Sequence, residues 1–453
     1  MSLLHKFIQD NNRYVLDVNS GSIHEIDELV YDLIDEDKME SKEELINKFK
    51  NKYTEAEISE AYDEIKELQN EGVLYSKDLY EDVAKKNNDE PSFIKALCLN
   101  IAHDCNLRCK YCFADEGDYK GRREIMSPEV AKKSIDFVIK HSGPRKNIEV
   151  DLFGGEPLMA MDTIKQVVEH AREEEKKYNK NIRFTMTTNA TLLNDEIMDY
   201  LDENMGNIVL SIDGRKEVND KVRVRIDGTG SHDAILPNIK KMVEKRDKSK
   251  QYYVRGTFTR NNLDFFEDIK YLADMGFKEI SMEPVVLPDS NPLSLREEDL
   301  PVIFEQYDKL YKEMIKRHKE GNEFKFYHFN IDINGGPCVY KRISGCGSGH
   351  EYVSIAPSGD VYPCHQFVGN EAFKMCTIYD DDIDKKMSGE FKKANIYSKP
   401  KCKECWARFY CSGGCQANNY NFNGNMNIPY ELGCKMQKKR IECAIALKAQ
   451  FME

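Results

Sequence analysis

Between residues 93 and 310, short apolar runs recur at intervals that suit alternating strands and helices. The strand-like runs are 96–101, 148–153, 182–187, 208–212, 252–258 and 279–283, with helical stretches between them. One helix opens on Ser127-Pro128-Glu129, a cap serine followed by a proline whose fixed φ suits the first turn. Six strand–helix units predict an α/β fold with a parallel sheet, whose functional loops leave the C-terminal ends of the strands. Residues 1–80 read as a separate small α/β module. The runs 13–18 and 22–26 alternate like two strands across an Asn19-Ser20-Gly21 turn. Ser41 with Glu44, and Thr54 with Glu57, form capping boxes that each open an amphipathic helix. The second helix carries Ile58, Ala61, Ile65 and Leu68 on one face and stops at Gly72. Val73-Leu74-Tyr75 would then be the strand of a wing, and the whole a winged helix-turn-helix. An acidic linker follows at 81–92.

With 453 residues the chain has room for several domains and a large core. Its net charge of −13 argues against nucleic acid or an anionic membrane as the main partner. The helix after Thr54 reads Glu-Ala-Glu-Ile-Ser-Glu, a poor binder of phosphate, so the winged module is not expected to hold DNA. No run approaches the length of a membrane span and the N-terminus lacks a signal-peptide pattern, which predicts a cytoplasmic protein. In that compartment the 14 cysteines read as metal or redox ligands before disulfides. Ten of them fall in two places.

The first place is Cys105-Asn106-Leu107-Arg108-Cys109-Lys110-Tyr111-Cys112, with Phe113 following. Thiolates spaced CxxxCxxC can hold three irons of a [4Fe–4S] cluster and leave the fourth open to another molecule. By itself the spacing also suits zinc or three core thiols. The second strand ends in Gly154-Gly155-Glu156-Pro157. Its glycines allow a close backbone approach to a ligand, and Glu156 can accept from an ammonium. The two motifs in this order resemble the radical S-adenosylmethionine (SAM) enzymes. The resemblance implies a partial (βα)6 barrel over 93–310, with Tyr111, Gly154, Gly155 and Glu156 at the SAM site. It also carries over Ser211 from Ser211-Ile212-Asp213-Gly214, and Arg223 from Asp220-Lys221-Val222-Arg223 as a forked partner of the SAM carboxylate. Asn189, ending the third strand, would line the same pocket.

The second place runs C-x12-G-x4-C from Cys346 to Cys364, then C-x2-C-x5-C-x3-C over Cys402, Cys405, Cys411 and Cys415, then Cys434. It resembles the SPASM iron–sulfur domain, which implies two auxiliary [4Fe–4S] clusters within 311–453 and three clusters in all. A zinc ribbon is the competing reading. Family ligation places Cys402, Cys405, Cys411 and Cys434 on the second auxiliary cluster, and Cys346, Cys364 and Cys415 on the first. Either Cys338 closes the first cluster or its open iron takes a substrate thiolate; the open site is preferred. Where sulfatase maturases of this family carry a general-base aspartate after the gap cysteine, this chain has His365. Cys98, Cys376 and Cys443 read as structural.

Residues 1–80 resemble the PqqD-like leader-recognition domain, in which an extended leader adds to a sheet edge. The three parts together resemble maturases of ribosomally made peptides, nearest to the thioether-forming maturases of six-cysteine SCIFF peptides. That implies an oxidoreductase that abstracts hydrogen with a 5′-deoxyadenosyl radical and joins a cysteine sulfur to carbon. Its partners would be a precursor peptide and an electron donor such as a ferredoxin or flavodoxin. A carbon–carbon cross-linking or quinone-cofactor maturase, a sulfatase maturase, and an iron–sulfur DNA-binding sensor remain as alternatives.

Overall fold

The computed structural model describes residues 3–119, 121, 123–333 and 339–451. Cys338 lies outside them. Strands β1 (Leu4–Gln9), β2 (Asn12–Asp17) and β3 (Ile23–Ile26) form an antiparallel N-terminal sheet. The central sheet then takes β4 (Ala96–His103), while β5 (Leu107–Cys109) leaves it as part of a loop. The two-residue β6 (Glu124–Ile125) pairs back on β4. Next come β7 (Asn147–Gly154), β8 (Asn181–Thr188) and β9 (Met205–Ser211), then the short β10 (Arg223–Arg225), which pairs antiparallel with β5. They are followed by β11 (Gln251–Phe258), β12 (Glu279–Pro284), β13 (Lys325–Phe326), β14 (Tyr352–Ile355), β15 (Asp360–Tyr362) and β16 (Cys376–Thr377).

The six expected strands are β4, β7, β8, β9, β11 and β12. They lie side by side in sequence order and all parallel, the arrangement of a partial (βα)6 barrel. Beyond the sequence expectation, β13 extends one edge and β14, β15 and β16 extend the other, so the C-terminal region continues the barrel sheet through β4. Parallel strands buried on both faces read as unbroken apolar runs. These alternate instead: Ile148, Val150 and Leu152 of β7 are buried toward the helices, whereas Glu149, Asp151 and Phe153 are half-buried on the other face. A polar concave face is what a site needs.

The helices are closed by their own sequences. Ser127 caps Val130 N at the start of Pro128–His141, with Lys140 and His141 at the negative end of the dipole. Asn179, at φ 52°, ends Met161–Tyr178 in the left-handed conformation and turns the chain into β8.

Two expectations in the first 92 residues need correction. An unexpected strand, β1, precedes the two that were read, and 73–75 is no strand. Gly72 and Tyr75 are both left-handed there, and Leu74 and Tyr75 plug the core made by Ile58, Ala61 and Ile65. The linker 81–92 is largely the helix Glu81–Asp89, docked on the body through buried Ala84 and the Lys403–Glu81 ion pair at 3.0 Å. Both capping boxes form as read. The N-terminal sheet presents Tyr14 and Leu16 to the main core and Val15 to its own helices. His5 stacks on Trp406 at 3.7 Å, which fixes the module against the C-terminal region.

Glu351 ties that region to the barrel. Its carboxylate accepts from Lys95 and Arg145, and its carbonyl accepts from Lys95 N at 2.7 Å beside β4. Burial raises its pKa, but the Lys95 hydrogen bond and the two positive charges win and hold it below the ordinary value. A depressed pKa in the folded state contributes stability above the unfolded pKa and loses it as pH falls through the folded one. Glu351→Gln is therefore expected to cost about 1–3 kcal/mol at neutral pH, with the difference vanishing in acid; urea unfolding across pH checks this.

Candidate active site

The three cysteines of the first motif stand on the loop between β4 and the helix Pro128–His141. Cys105 follows the end of β4 after one residue, Asp104. Cys109 ends β5, opposite Arg223 of β10, and Cys112 N donates to Cys109 O at 3.0 Å. Burial pushes Cys105 up to about 12 and Cys109 to about 11, and raises Cys112. Cys105 also lies within the electrostatic reach of the other two. Unaided, these groups stay protonated, so thiolates here require the positive charge of a bound metal.

The Gly154-Gly155 turn is dictated by the backbone before Cys105. A Cβ on Gly154 would fall 2.3 Å from Ala102 O, and one on Gly155 2.0 Å from Asp104 O. Gly155 N donates to Ala102 O at 2.7 Å and Glu156 N to Asp104 O at 2.8 Å. The glycines thus serve the contact between this turn and the cysteine loop, a reason the sequence did not reveal. Glu156 is 0% exposed. Oε1 accepts from Leu158 N at 3.0 Å and Thr188 Oγ1 at 2.7 Å, and Oε2 accepts from Asn189 N at 2.7 Å. It works as a strut between the ends of β7 and β8. Asn189 reaches the first cysteine, its Nδ2 donating to Asn106 Oδ1 at 2.8 Å and lying 3.6 Å from Cys105 Sγ.

A triad of half-buried Tyr111 with buried Asp213 and Arg223 closes the other side. Tyr111 OH donates to Asp213, 2.7 Å from Oδ2, and accepts from Arg223 Nη1 at 2.9 Å; Arg223 and Asp213 are 3.9 Å apart. Thr257 N donates to Asp213 Oδ1 at 3.0 Å. Arg223 Nε is buried and has no hydrogen-bond partner among the described residues, which leaves a donor free for an acceptor from outside the chain. Ser211 ends β9 half-buried, its hydroxyl without a partner among the described residues. Asp213 stood in the same motif as Ser211 and is the residue that sequence reasoning passed over.

The C-terminal thiols gather in two groups. Cys402, Cys405, Cys411 and Cys434 line one cavity of about 140 Å³, with Lys401, Arg408 and Gly413. A water molecule occupies about 30 Å³, so the cavity is sized for a larger group. Cys364 lies within electrostatic reach of Cys415 and Cys346. Among the described residues no three His, Cys, Asp or Glu side chains converge on a single-ion site.

His365 joins the two regions. Its ring packs on Phe113 at 5.4 Å and Phe153 at 5.2 Å, and its Nδ1 is 3.1 Å from Tyr352 OH. Burial, with the charge of Arg255, pulls its pKa down to about 4, so the ring is neutral. The concave face also holds Asp151, which burial raises to about 6, and the pair Arg255–Glu283 at 3.7 Å. His328 Nε2 lies 3.1 Å from Glu283. These are single polar residues in separate strands or turns, and no motif spacing announces them.

Residues 99–269 match the family model of the Radical SAM superfamily. The chain is similar to a cysteine-type anaerobic sulfatase-maturating enzyme of Clostridium novyi (strain NT), 27% identical over 351 residues that make up 72% of this chain and 89% of the relative. It is also similar to the radical SAM cyclopropyl synthase TigE of Paramaledivibacter caminithermalis (strain DSM 15212 / CIP 107654 / DViRD3), 24% identical over 474 aligned residues, with 96% of this chain and 94% of the relative covered. Among solved structures, Streptococcus suis SuiB bound to the precursor peptide SuiA shares the fold at a TM-score of 0.55 and 17% identity, covering 94% of this chain and 98% of that one. No helix among the described residues is long and apolar enough to cross a membrane. With a three-cysteine loop at the C-terminal end of the first strand of a partial barrel, this chain belongs to the radical SAM superfamily of enzymes.

Proposed function

We propose that the enzyme is a maturase that installs cysteine thioether cross-links in a ribosomally synthesised, cysteine-rich precursor peptide. The observation that carries this reading is the contact of Phe113, which follows Cys112, with His365, which follows Cys364, both against Phe153 on the concave face. A peptide carbon at the barrel mouth and a peptide thiol beside Cys364 would then face one common volume. Cys105, Cys109 and Cys112 would hold the SAM-binding cluster, and two auxiliary clusters would use Cys346, Cys364 and Cys415, and Cys402, Cys405, Cys411 and Cys434. These three [4Fe–4S] clusters and SAM would supply a hydrogen-abstracting radical, an iron corner for a substrate thiolate, and an exit for the surplus electron.

The chain's own residues orient the reactants. Arg223 would hold the SAM carboxylate through its unpartnered Nε, while Tyr111 and Asp213 hold its guanidinium in place. Asn189, Ser211 and the Gly154-Gly155-Glu156 turn frame the rest of the pocket. Phe113, Phe153 and His365 cover the reacting volume with rings, which keeps water from a carbon radical. Residues 1–80 would bind the leader along an edge of the three-stranded sheet, followed by 81–92, the barrel at 93–310 and the cluster region at 311–453. The similarities to TigE and SuiB support this, since both span nearly the whole chain and SuiB was solved with a precursor peptide. A ferredoxin or flavodoxin would supply the electron.

The similarity to the sulfatase-maturating enzyme favours a second reading, oxidation of a sulfatase cysteine. Anaerobic assays with SAM, dithionite and a cysteine-rich peptide encoded beside the gene separate the two. Expected are 5′-deoxyadenosine, loss of two hydrogens from the peptide and one cysteine that no longer alkylates. Formylglycine on a sulfatase peptide, with the cysteine-rich peptide untouched, would establish the second reading instead. Two hydrogens lost with every cysteine still alkylatable would point to a carbon–carbon bond.

A further inference from the structure

Lys399 has no exposed surface. It precedes the short helix Pro400–Lys403, and its carbonyl accepts from Cys402 N at 2.9 Å. Its ammonium donates to Gly413 O at 2.9 Å, the one hydrogen bond it makes among the described residues. Gly413 lies midway between Cys411 and Cys415. Ser412, Gly413 and Gly414 all take positive φ, 56°, 82° and 73°, so the chain turns sharply between those two cysteines. Cys411 faces the four-thiol cavity that Gly413 also lines, while Cys415 belongs with Cys346 and Cys364. The ammonium is in electrostatic contact with Cys402, Cys411 and Cys434 of one group and Cys415 of the other.

An ammonium taken wholly out of water, with a single neutral acceptor, is strongly unfavourable unless negative charge stands nearby. Neutral thiols around it would not supply that charge. Thiolates around iron–sulfur clusters do provide it. Charge and hydrogen bonding around such clusters set their reduction potentials.

We propose that Lys399 is the shared counter-cation of the two auxiliary clusters, a positioning residue that raises both reduction potentials together. This rests on the two-cluster reading above. The cation favours the reduced, more negative form of each cluster, and because one charge acts on both, the difference between them changes little. Electron passage between the clusters is thereby kept near balance while both remain easier to reduce.

EPR-monitored redox titration of the reconstituted full chain tests the proposal, with iron content measured alongside. In Lys399→Met both auxiliary potentials should fall by at least a tenfold weakening of the reduction equilibrium, about 59 mV for a one-electron couple. The cluster at Cys105, Cys109 and Cys112 should keep its potential and serve as the reference. Lys399→Arg should retain the wild-type values. Lys399→Gln, which keeps a donor for Gly413 O but no charge, should behave as the Met variant and decides the matter where that variant loads iron poorly. Unchanged potentials in the fully loaded Gln or Met variant would overturn the proposal, as would a shift of one auxiliary cluster alone. If the wild-type protein binds the iron of only one cluster, the two-cluster reading fails first, an outcome the iron content separates from an inert Lys399.

Discussion

Gly155→Ala is expected to disable the radical SAM site without removing any side-chain function. The added methyl would stand 2.0 Å from Asp104 O and 2.5 Å from Asp104 C, far inside any tolerated contact. Asp104 O is also the acceptor for Glu156 N, at 2.8 Å, so the turn cannot retreat without breaking that bond. The displaced residue is the one before Cys105, and Cys105, the first of the proposed cluster ligands, moves with it. A cost of about 3 kcal/mol, the upper end of overpacking, is expected together with loss of iron from this site alone. Gly389→Ala is the control. Gly389 lies inside the helix Lys385–Lys393 with nothing near its added methyl, and the change should stabilise by about 0.5–1 kcal/mol. Urea midpoints and iron retained after desalting check both, and a Gly155→Ala protein with full iron and wild-type stability would reject this account of the turn.

The second large effect concerns a residue expected never to touch substrate. Asp213→Ala removes the acceptor of Tyr111 OH and Thr257 N and leaves the buried Arg223 guanidinium without a counter-charge. Breaking a buried ion pair from one side costs about 3–5 kcal/mol, because the remaining charge stays out of water uncompensated. Asp213→Asn keeps an oxygen for one of the two donors and should cost about 1–3 kcal/mol. The same order is expected for SAM affinity by equilibrium dialysis, since Arg223 is aimed by Tyr111 and Asp213. Tight SAM binding by Asp213→Ala would show that the triad is structural only.

Much of the fold, and the cysteine pattern of the candidate site, was legible in the sequence. Cysteine spacing is a local signal, because ligands of one cluster on one loop must lie within a few residues of each other. The apolar runs of the barrel strands are equally local, and all six appear within a few residues of where they were read. The wing at 73–75 failed for the opposite reason. Three apolar residues after a helix fit a strand or a core plug equally well, and the positive φ of Tyr75 made them a plug. β14 and β15 were invisible because strands of four and three residues are too short to show a period.

The sequence by itself determined the superfamily, the barrel and the cysteines on which the chemistry is proposed to rest, since each depends on residues near one another in the chain. Only the tertiary structure decided how they meet. The register of β10 on β5 set Arg223 opposite Cys109, the continuation of the sheet through β14 carried His365 to Phe113, and the left-handed turn at 412–414 set Gly413 against Lys399. Those contacts join residues up to about 250 positions apart, and no local preference encodes them. They follow from sheet order and close packing, in which a buried charge must find its partner wherever the chain has brought one.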